Sequence, residues 1–218
     1  MYRYLLFDLD GTLTNPKEGI TKCVQYALRC FGIEEPDLDK LEPFIGPPLV
    51  ASFMEFYNLS EEQAREAVEK YRERFRNVGI FENMVFEGVQ KMLETLQNQG
   101  KKLVIASSKP EEFVLQILEK YGIRDYFCEV VGATMDEKRT AKADVIREAF
   151  ARLNITEEMR PQVLMIGDRK HDAEGAAACG IDCLGTYVGF AGPGELEAAG
   201  AAYIVNTVEE MSEFLQTH

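Results

Sequence analysis

Three observations predict an α/β protein: a doubly wound parallel sheet carrying a helical segment inserted after its first strand. Short apolar runs recur at Tyr4–Phe7, Leu103–Ala106 and Val163–Ile166, each the length of a buried strand. From about residue 86 onward such runs alternate with stretches of helical spacing. Between the first and second runs, residues 15 to 85 carry helical spacing and few strand-like runs. Strands that alternate with helices need right-handed crossovers, which lay helices on both faces of a parallel sheet.

The first run leads into Asp8-Leu9-Asp10-Gly11-Thr12-Leu13-Thr14, where Gly11 breaks the strand. Strand side chains alternate faces, so Asp8 and Asp10 point the same way if both are extended. Two carboxylates held that close are costly unless a proton or cation lies between them. A bare Asp-x-Asp is usually an acidic turn after an edge strand; the preceding strand, the Gly and the Thr-Leu-Thr make more of it here.

In the helical segment, Ile20, Val24, Ala27, Leu28 and Phe31 recur at helix spacing and Gly32 closes that helix. Phe44-Ile45-Gly46-Pro47-Pro48 is a break, because two prolines end any helix before them. Leu49, Phe53 and Phe56 begin another helix. Ser60 with Gln63 three residues on reads as a capping box for a third, running to about Phe75.

Beyond it, Val89, Met92, Leu93 and Leu96 form an apolar helix face ended by Gly100. After Leu103–Ala106 comes a helix marked by Phe113, Ile117, Leu118 and Tyr121. Cys128–Val131 is a further strand, Ala143–Leu153 a helix, and Val163–Ile166 the third strong strand. An Ala-rich helix over Ala173–Cys179 leads to Ile181–Thr186, then Tyr203–Val205, then a closing helix from Thr207.

A chain of 218 residues suits one large domain, or a core with a modest second lobe. Its formal net charge of −13 argues against a nucleic-acid polymer or an anionic membrane as partner. A small phosphorylated substrate stays open, because a metal ion and one Lys can reverse the local field. Five cysteines without a Cys-x-x-Cys pair point to buried thiols in a reducing cytoplasm. No apolar stretch is long enough to span a membrane, and the amino terminus lacks a signal-peptide pattern. The expected location is therefore cytoplasmic.

Sites in open α/β sheets lie at the carboxyl ends of the strands. Three strands end in polar clusters: Asp8 and Asp10; Ser107-Ser108-Lys109-Pro110; and Gly167-Asp168-Arg169-Lys170-His171-Asp172. Ser107 and Ser108 stand where hydroxyls and backbone N–H groups can meet a phosphate oxygen. Pro110 suits the first turn of the next helix, whose amino end attracts anions. A plain N-cap would also satisfy that serine pair. Asp8, Asp168 and Asp172 can together hold a hard cation with several waters, as Mg²⁺ is usually held. Asp172 also reads as an N-cap for the Ala-rich helix. On spacing alone Lys142 is an ordinary surface lysine, and His171, a lone histidine in an acidic turn, is exposed rather than catalytic.

This ordered set resembles the haloacid dehalogenase superfamily over essentially the whole chain. The motifs run in order: Asp8-Leu9-Asp10-Gly11-Thr12-Leu13, then Ser107, then Lys142, then Gly167-Asp168 with Asp172. The insertion resembles the cap of the phosphoglycolate-phosphatase and β-phosphoglucomutase branch. The resemblance implies a Rossmann-like core over residues 1–14 and 86–218, with a helical cap over 15–85 that closes on the site. It implies that Asp8 is the nucleophile and forms an aspartyl-phosphate, and that Asp10 is the general acid/base. Ser107, with Ser108 and Gly11, would bind phosphate. Lys142 would pair with nucleophile and phosphate, with Lys138 as the alternative. Asp8, Asp168, Asp172 and the main-chain carbonyl of Asp10 would serve Mg²⁺. Gly46 and Pro47 would lie in a substrate-selecting cap loop, residues 15–22 would form a hinge, and Arg72, Arg74 and Arg76 are either anion contacts or solvated surface.

Within the family a carboxylate at Asp10 favours phosphoryl transfer, since a departing halide needs no proton. The mutase branch shares that carboxylate but carries a cap-loop Arg; here the loop Phe44–Leu49 holds neither Arg nor Lys, which favours a phosphatase. The expected activity is a Mg²⁺-dependent phosphatase for a small-molecule phosphate ester: a phosphoglycolate-like acid, a nucleoside 5′-monophosphate or an aryl or tyrosine phosphate. A phosphosugar mutase and a non-catalytic regulatory protein on the same fold are the alternatives. The expected assembly is a monomer or homodimer.

Overall fold

The computed structural model describes residues 1–136 and 138–218. The strands in chain order are β1 (Tyr4–Phe7), β2 (Thr14–Asn15), β3 (Met84–Val85), β4 (Lys102–Pro110), β5 (Glu129–Ala133), β6 (Val163–Gly167), β7 (Asp182–Thr186) and β8 (Tyr203–Val205). The helices are α1 (Lys17–Cys30), α2 (Leu49–Tyr57), α3 (Glu61–Asn77), α4 (Val89–Asn98), α5 (Glu111–Lys120), α6 (Lys142–Leu153), α7 (Lys170–Ala178), α8 (Glu195–Ala198) and α9 (Val208–Thr217). The chain forms two units, one of Met1–Thr14 with Val85–His218, the other of Asn15–Met84.

The first unit is an α/β Rossmann-like layer structure around a six-stranded parallel sheet in the order β5-β4-β1-β6-β7-β8. Leu5, Leu6 and Phe7 are fully buried, as a central strand with both faces covered requires. Leu6, Val104, Val131 and Met165 point to one face, where Val145, Ile146 and Ala149 of α6 and Ala173 and Ala176 of α7 complete a core. Alternation sends Leu5, Phe7, Leu103 and Ile105 to the other face, and α4 and α9 pack together on that side. From β1 the chain goes outward to β4 and β5, then returns to β6 on β1's other edge. The order thus reverses at β1, and a crevice opens at the carboxyl ends of β4, β1 and β6. Phe7 lies level with Ile105 and with Ile166, so the residues after all three strands emerge at one height.

Most elements fall within a residue or two of their expected bounds. Three differ in ways that bear on the site. Helix α6 begins at Lys142 itself, and α7 begins at Lys170, a turn earlier than its alanines suggest. Strand β4 runs on through Ser107, Ser108 and Lys109 to Pro110, with its register against β5 shifted between Ala106 and Pro110. Pro110 therefore precedes α5 as its cap residue and is not in its first turn.

The second unit is helical. Ile20, Val24, Ala27 and Leu28 of α1, Phe53 of α2, and Ala64, Ala67, Val68, Tyr71 and Phe75 of α3 are buried. Phe44 anchors the turn before α2, edge-on to Phe53 and Phe56 at ring distances of 4.9 and 5.3 Å. The capping box is present: Ser60 Oγ accepts the Gln63 N–H and Gln63 Oε1 accepts the Ser60 N–H. Gly19 lies so close to the Gly79 carbonyl that no Cβ would fit between them. Arg74 is committed to Glu82, at 2.7 and 3.0 Å, and Arg72 to Glu69 at 2.8 Å. Gly46 and Pro47 belong to this unit, in the turn preceding α2, where Gly46 takes a positive φ of 106°. Among the described residues no helix is long and apolar enough to cross a membrane.

Candidate active site

The first unit gathers Asp8, Asp10, Ser107, Lys142, Asp168 and Asp172 at the carboxyl ends of β1, β4 and β6, all with little or no exposure. The turn after β1 is fixed by its own backbone. The Leu9 carbonyl accepts the N–H groups of Leu13 and Thr14 at 2.9 and 3.0 Å, with Thr12 N at 3.3 Å, and Gly11 N–H donates to the Thr14 carbonyl. Gly11 has φ +81°, and a Cβ there would run into the Asp168 carboxylate. Asp8 stays in register with the sheet, its N–H donating to the Ile166 carbonyl at 2.9 Å.

Lys142 ties the cluster together. Its Nζ lies 3.0 Å from Asp8 Oδ2 and 2.8 Å from Asp172 Oδ1, and donates to the Ala106 carbonyl at 3.0 Å. Burial works against its charge, but Asp172 and Asp8 outweigh that and raise its pKa above the ordinary lysine value. Lys138 is 84% exposed and pairs with Asp136 instead.

Asp172 lies inside the first turn of α7 and is not its N-cap. Its Oδ2 accepts the N–H of Arg169, the residue that does precede the helix. Burial pushes Asp172 up to about 6, against the pull of Lys142. Asp168 is completely buried; its Oδ1 accepts from the Thr12 hydroxyl at 3.3 Å and its Oδ2 from the Phe190 N–H at 2.8 Å. Burial raises its carboxyl well above the usual range, and the nearby Asp172 and Asp8 add to the effect.

Oxygens of Asp8, Asp168 and Asp172 all lie within 4.8 Å of one another. Three buried carboxylates against one ammonium leave two negative charges over, which one divalent cation would neutralise. An all-oxygen donor set suits a hard cation such as Mg²⁺. The residues present therefore fit the ion that the motifs imply.

Several members of the site carry no signal of their own in the sequence. Lys109 follows the serine pair, and its ammonium is paired with the Asp10 carboxylate, both side chains at most 10% exposed. Burial pushes the Asp10 carboxyl upward and Lys109 pulls it back. Gly189 and Phe190, far along the chain, close on Asp168: a Cβ at Gly189 would strike both that carboxylate and the Gly11 carbonyl. Ser107 is buried and its Oγ accepts the Lys109 N–H, a local turn contact, while Ser108 is half-buried. His171 lies off the cluster, 3.7 Å from Glu174.

Residues 5–186 match the family of haloacid dehalogenase-like hydrolases, and the chain belongs to that family. It is 43% identical over 217 residues to a 5′-nucleotidase of Pseudomonas aeruginosa, covering 100% of this chain and 97% of that one. The crystal structure of a predicted phosphatase from Clostridium acetobutylicum superposes with a TM-score of 0.96 at 45% identity, over 100% of both chains. The tyrosine-protein kinase PtkA of Mycobacterium tuberculosis is 33% identical over 213 residues, 97% of this chain and 72% of that protein. Fold, family, the 5′-nucleotidase and the predicted phosphatase make the chain an enzyme of the phosphoric monoester hydrolase class.

Proposed function

We propose that this enzyme is a Mg²⁺-dependent phosphatase of small soluble phosphate esters, with nucleoside 5′-monophosphates the first class to test. The observation that carries the reading is the Lys142-centred cluster, in which a buried ammonium bridges Asp8 and Asp172 beside Asp168. The 5′-nucleotide preference rests on the full-length likeness to the Pseudomonas aeruginosa protein.

Asp8 attacks phosphorus in line, forming an Asp8–phosphate bond as the ester P–O bond breaks. Lys142 stays at the Asp8 carboxylate and offsets the repulsion between that anion and the incoming phosphate. Asp10, protonated, gives its proton to the departing alkoxide, then takes one from the water that hydrolyses the acyl phosphate. Ser107, Ser108 and the turn at Gly11 supply donors to the phosphate oxygens. Bound to Asp8, Asp168, Asp172 and the Asp10 carbonyl, Mg²⁺ would add positive charge where the transferring phosphoryl group is most negative. Gly46 and Pro47 are assigned to substrate choice, and the cytoplasm to location, on the sequence reading alone.

A phosphate-release screen over nucleoside monophosphates, phosphoglycolate, sugar phosphates and aryl phosphates with Mg²⁺ tests the proposal. Turnover of at least one class, abolished by chelator, is the expected result. Isomerisation of a sugar 1-phosphate without phosphate release would replace it with the mutase reading.

The Asp168 setting gives a second test. Gly189→Ala forces a methyl group against that carboxylate and is expected to weaken Mg²⁺ binding by about 10–100-fold, the usual scale for groups that orient a metal ligand. Calorimetric titration with Mg²⁺ measures this directly; unchanged affinity would remove Asp168 from the ion's ligands.

A further inference from the structure

We infer that Lys109 is a positioning residue for Asp10, holding one carboxyl oxygen so that the other meets the leaving-group oxygen of the substrate. The inference rests on the phosphatase reading above and assigns a part to a residue that reading does not use.

The two oxygens of Asp10 have different surroundings. Oδ2 is taken by the Lys109 ammonium. Oδ1 is buried and has no hydrogen-bond partner among the described residues. A buried carboxyl oxygen left unpaired costs stability, and such groups persist where a ligand or substrate completes them. The Lys109 side chain is 7% exposed, so its ammonium is held among protein groups and not spread into solvent.

Strand β4 supplies the aim. Its pairing with β5 is regular through Ala106 and Val131, then slips before Pro110 meets Ala133. An irregularity of this kind bends the strand and redirects side chains, and such features collect next to active sites. Here the slip spans Ser107 to Lys109, and Ser107 Oγ accepts the Lys109 N–H across it at 3.3 Å. The ammonium reaches Asp10 from β4 while the Asp10 backbone is set by the turn after β1. The backbone of Asp10 is thus fixed by the turn after β1 and its carboxyl by Lys109 of β4, and rotation about its side-chain bonds would break the Lys109 contact.

Asp10 matters most when the leaving group is a poor one. In the breaking of an alkyl ester, the Asp10 O–H proton passes to the departing oxygen as the P–O electron pair leaves with it. A dinitrophenolate departs without that proton. Loss of the grip should therefore be read out by the leaving group and not by overall activity.

The experiment compares wild type, Lys109→Met and Lys109→Arg on a nucleoside 5′-monophosphate and on dinitrophenyl phosphate. The measured quantity is kcat/KM, which reports the step that breaks the ester. Lys109→Met is expected to lower kcat/KM about a hundredfold for the alkyl ester while keeping the aryl ester within about threefold, the low end of general-acid effects. Lys109→Arg should recover most of the alkyl activity, and Lys109→Met should add no further loss in an Asp10→Asn background. An equal fall on both esters, or none on either, would overturn the assignment, and a melting temperature for each variant separates misfolding from loss of aim. If wild type cleaves no ester of the phosphate-release screen, the phosphatase reading falls and this inference with it; if it cleaves another alkyl ester of that screen in place of the nucleotide, the comparison is made on that ester, and an even loss there and on dinitrophenyl phosphate overturns only the role of Lys109.

Discussion

Asp8→Asn is expected to cut phosphate release by roughly 10⁴- to 10⁶-fold, the scale on which removing one member of a catalytic unit acts. The substitution keeps the shape of the side chain and an oxygen that can still accept from Lys142, which lies 3.0 Å away. It removes the proposed nucleophile, because an amide oxygen does not form a stable acyl phosphate. It also removes one of three crowded negative charges, since Asp8 raises the carboxyls of both Asp168 and Asp172. Activity and stability should therefore move in opposite directions, as expected where a site is strained for function. Rates on the preferred ester and thermal melts of the same preparations check this. A variant that is inactive and also much less stable would make Asp8 a structural anchor and remove it as nucleophile.

Lys142→Met tests the opposite charge. Methionine fills a similar volume but leaves Asp8 and Asp172 buried without the ammonium between them, and leaves the Ala106 carbonyl without its donor. Breaking a buried ion pair by removing one partner typically costs about 3–5 kcal/mol. Urea unfolding near neutral pH without Mg²⁺ should show a loss of that order, and millimolar Mg²⁺ should restore part of it. The pH dependence has a defined sign. Burial already places Asp172 at about 6, above the ordinary aspartate value of about 3.9. Without Lys142 that carboxyl rises further. The folded state then binds more protons than the unfolded one between the two values, so stability falls as pH rises through that window and is regained on acidification. If the variant shows no such recovery toward pH 4–5, the cluster is less tightly coupled than the distances imply.

Much of the sheet was legible because its strands are buried on both faces and read as unbroken apolar runs. Tyr4–Phe7 and Val163–Ile166 lie within the observed strands for that reason, whereas Tyr203–Val205 forms the edge strand β8, with Tyr203 exposed, and reads as a strand only as a short apolar run. The Asp8–Asp10 turn was legible because its partners sit side by side in the chain. Lys142 was not legible from spacing: it opens α6, and its partners stand on β1 and α7, so nothing local marks it. Lys109 carries no local mark for a related reason. A regular strand gives no cause to aim it at Asp10, and the register slip that accompanies its placement has no sequence signature. Asp172 falls at a helix border in the sequence pattern because the alanines of α7 carry the helical spacing while its first turn is polar. Gly189 and Phe190 reach Asp168 from a loop after β7, and only the folded sheet brings that loop back.

The position of β1 also fixes when the site comes into being. The strand that leads into Asp8 is made first, yet its two neighbours are β4 and β6, and β6 is not complete until Gly167. At a synthesis rate of about 5–20 residues per second, the gap between β1 and β6 leaving the ribosome is roughly 8–30 s. During that interval one edge of the central strand has no partner, and its apolar side chains are open to chaperones or to wrong pairings. The same delay spares the nascent chain the cost of crowding its acids: Asp8 meets Asp168 and Asp172 only when β6 and α7 have docked, by which point Lys142 has already been made. The repulsive centre of the enzyme is therefore assembled late, once β1, β4 and β6 and the helices between them have been made.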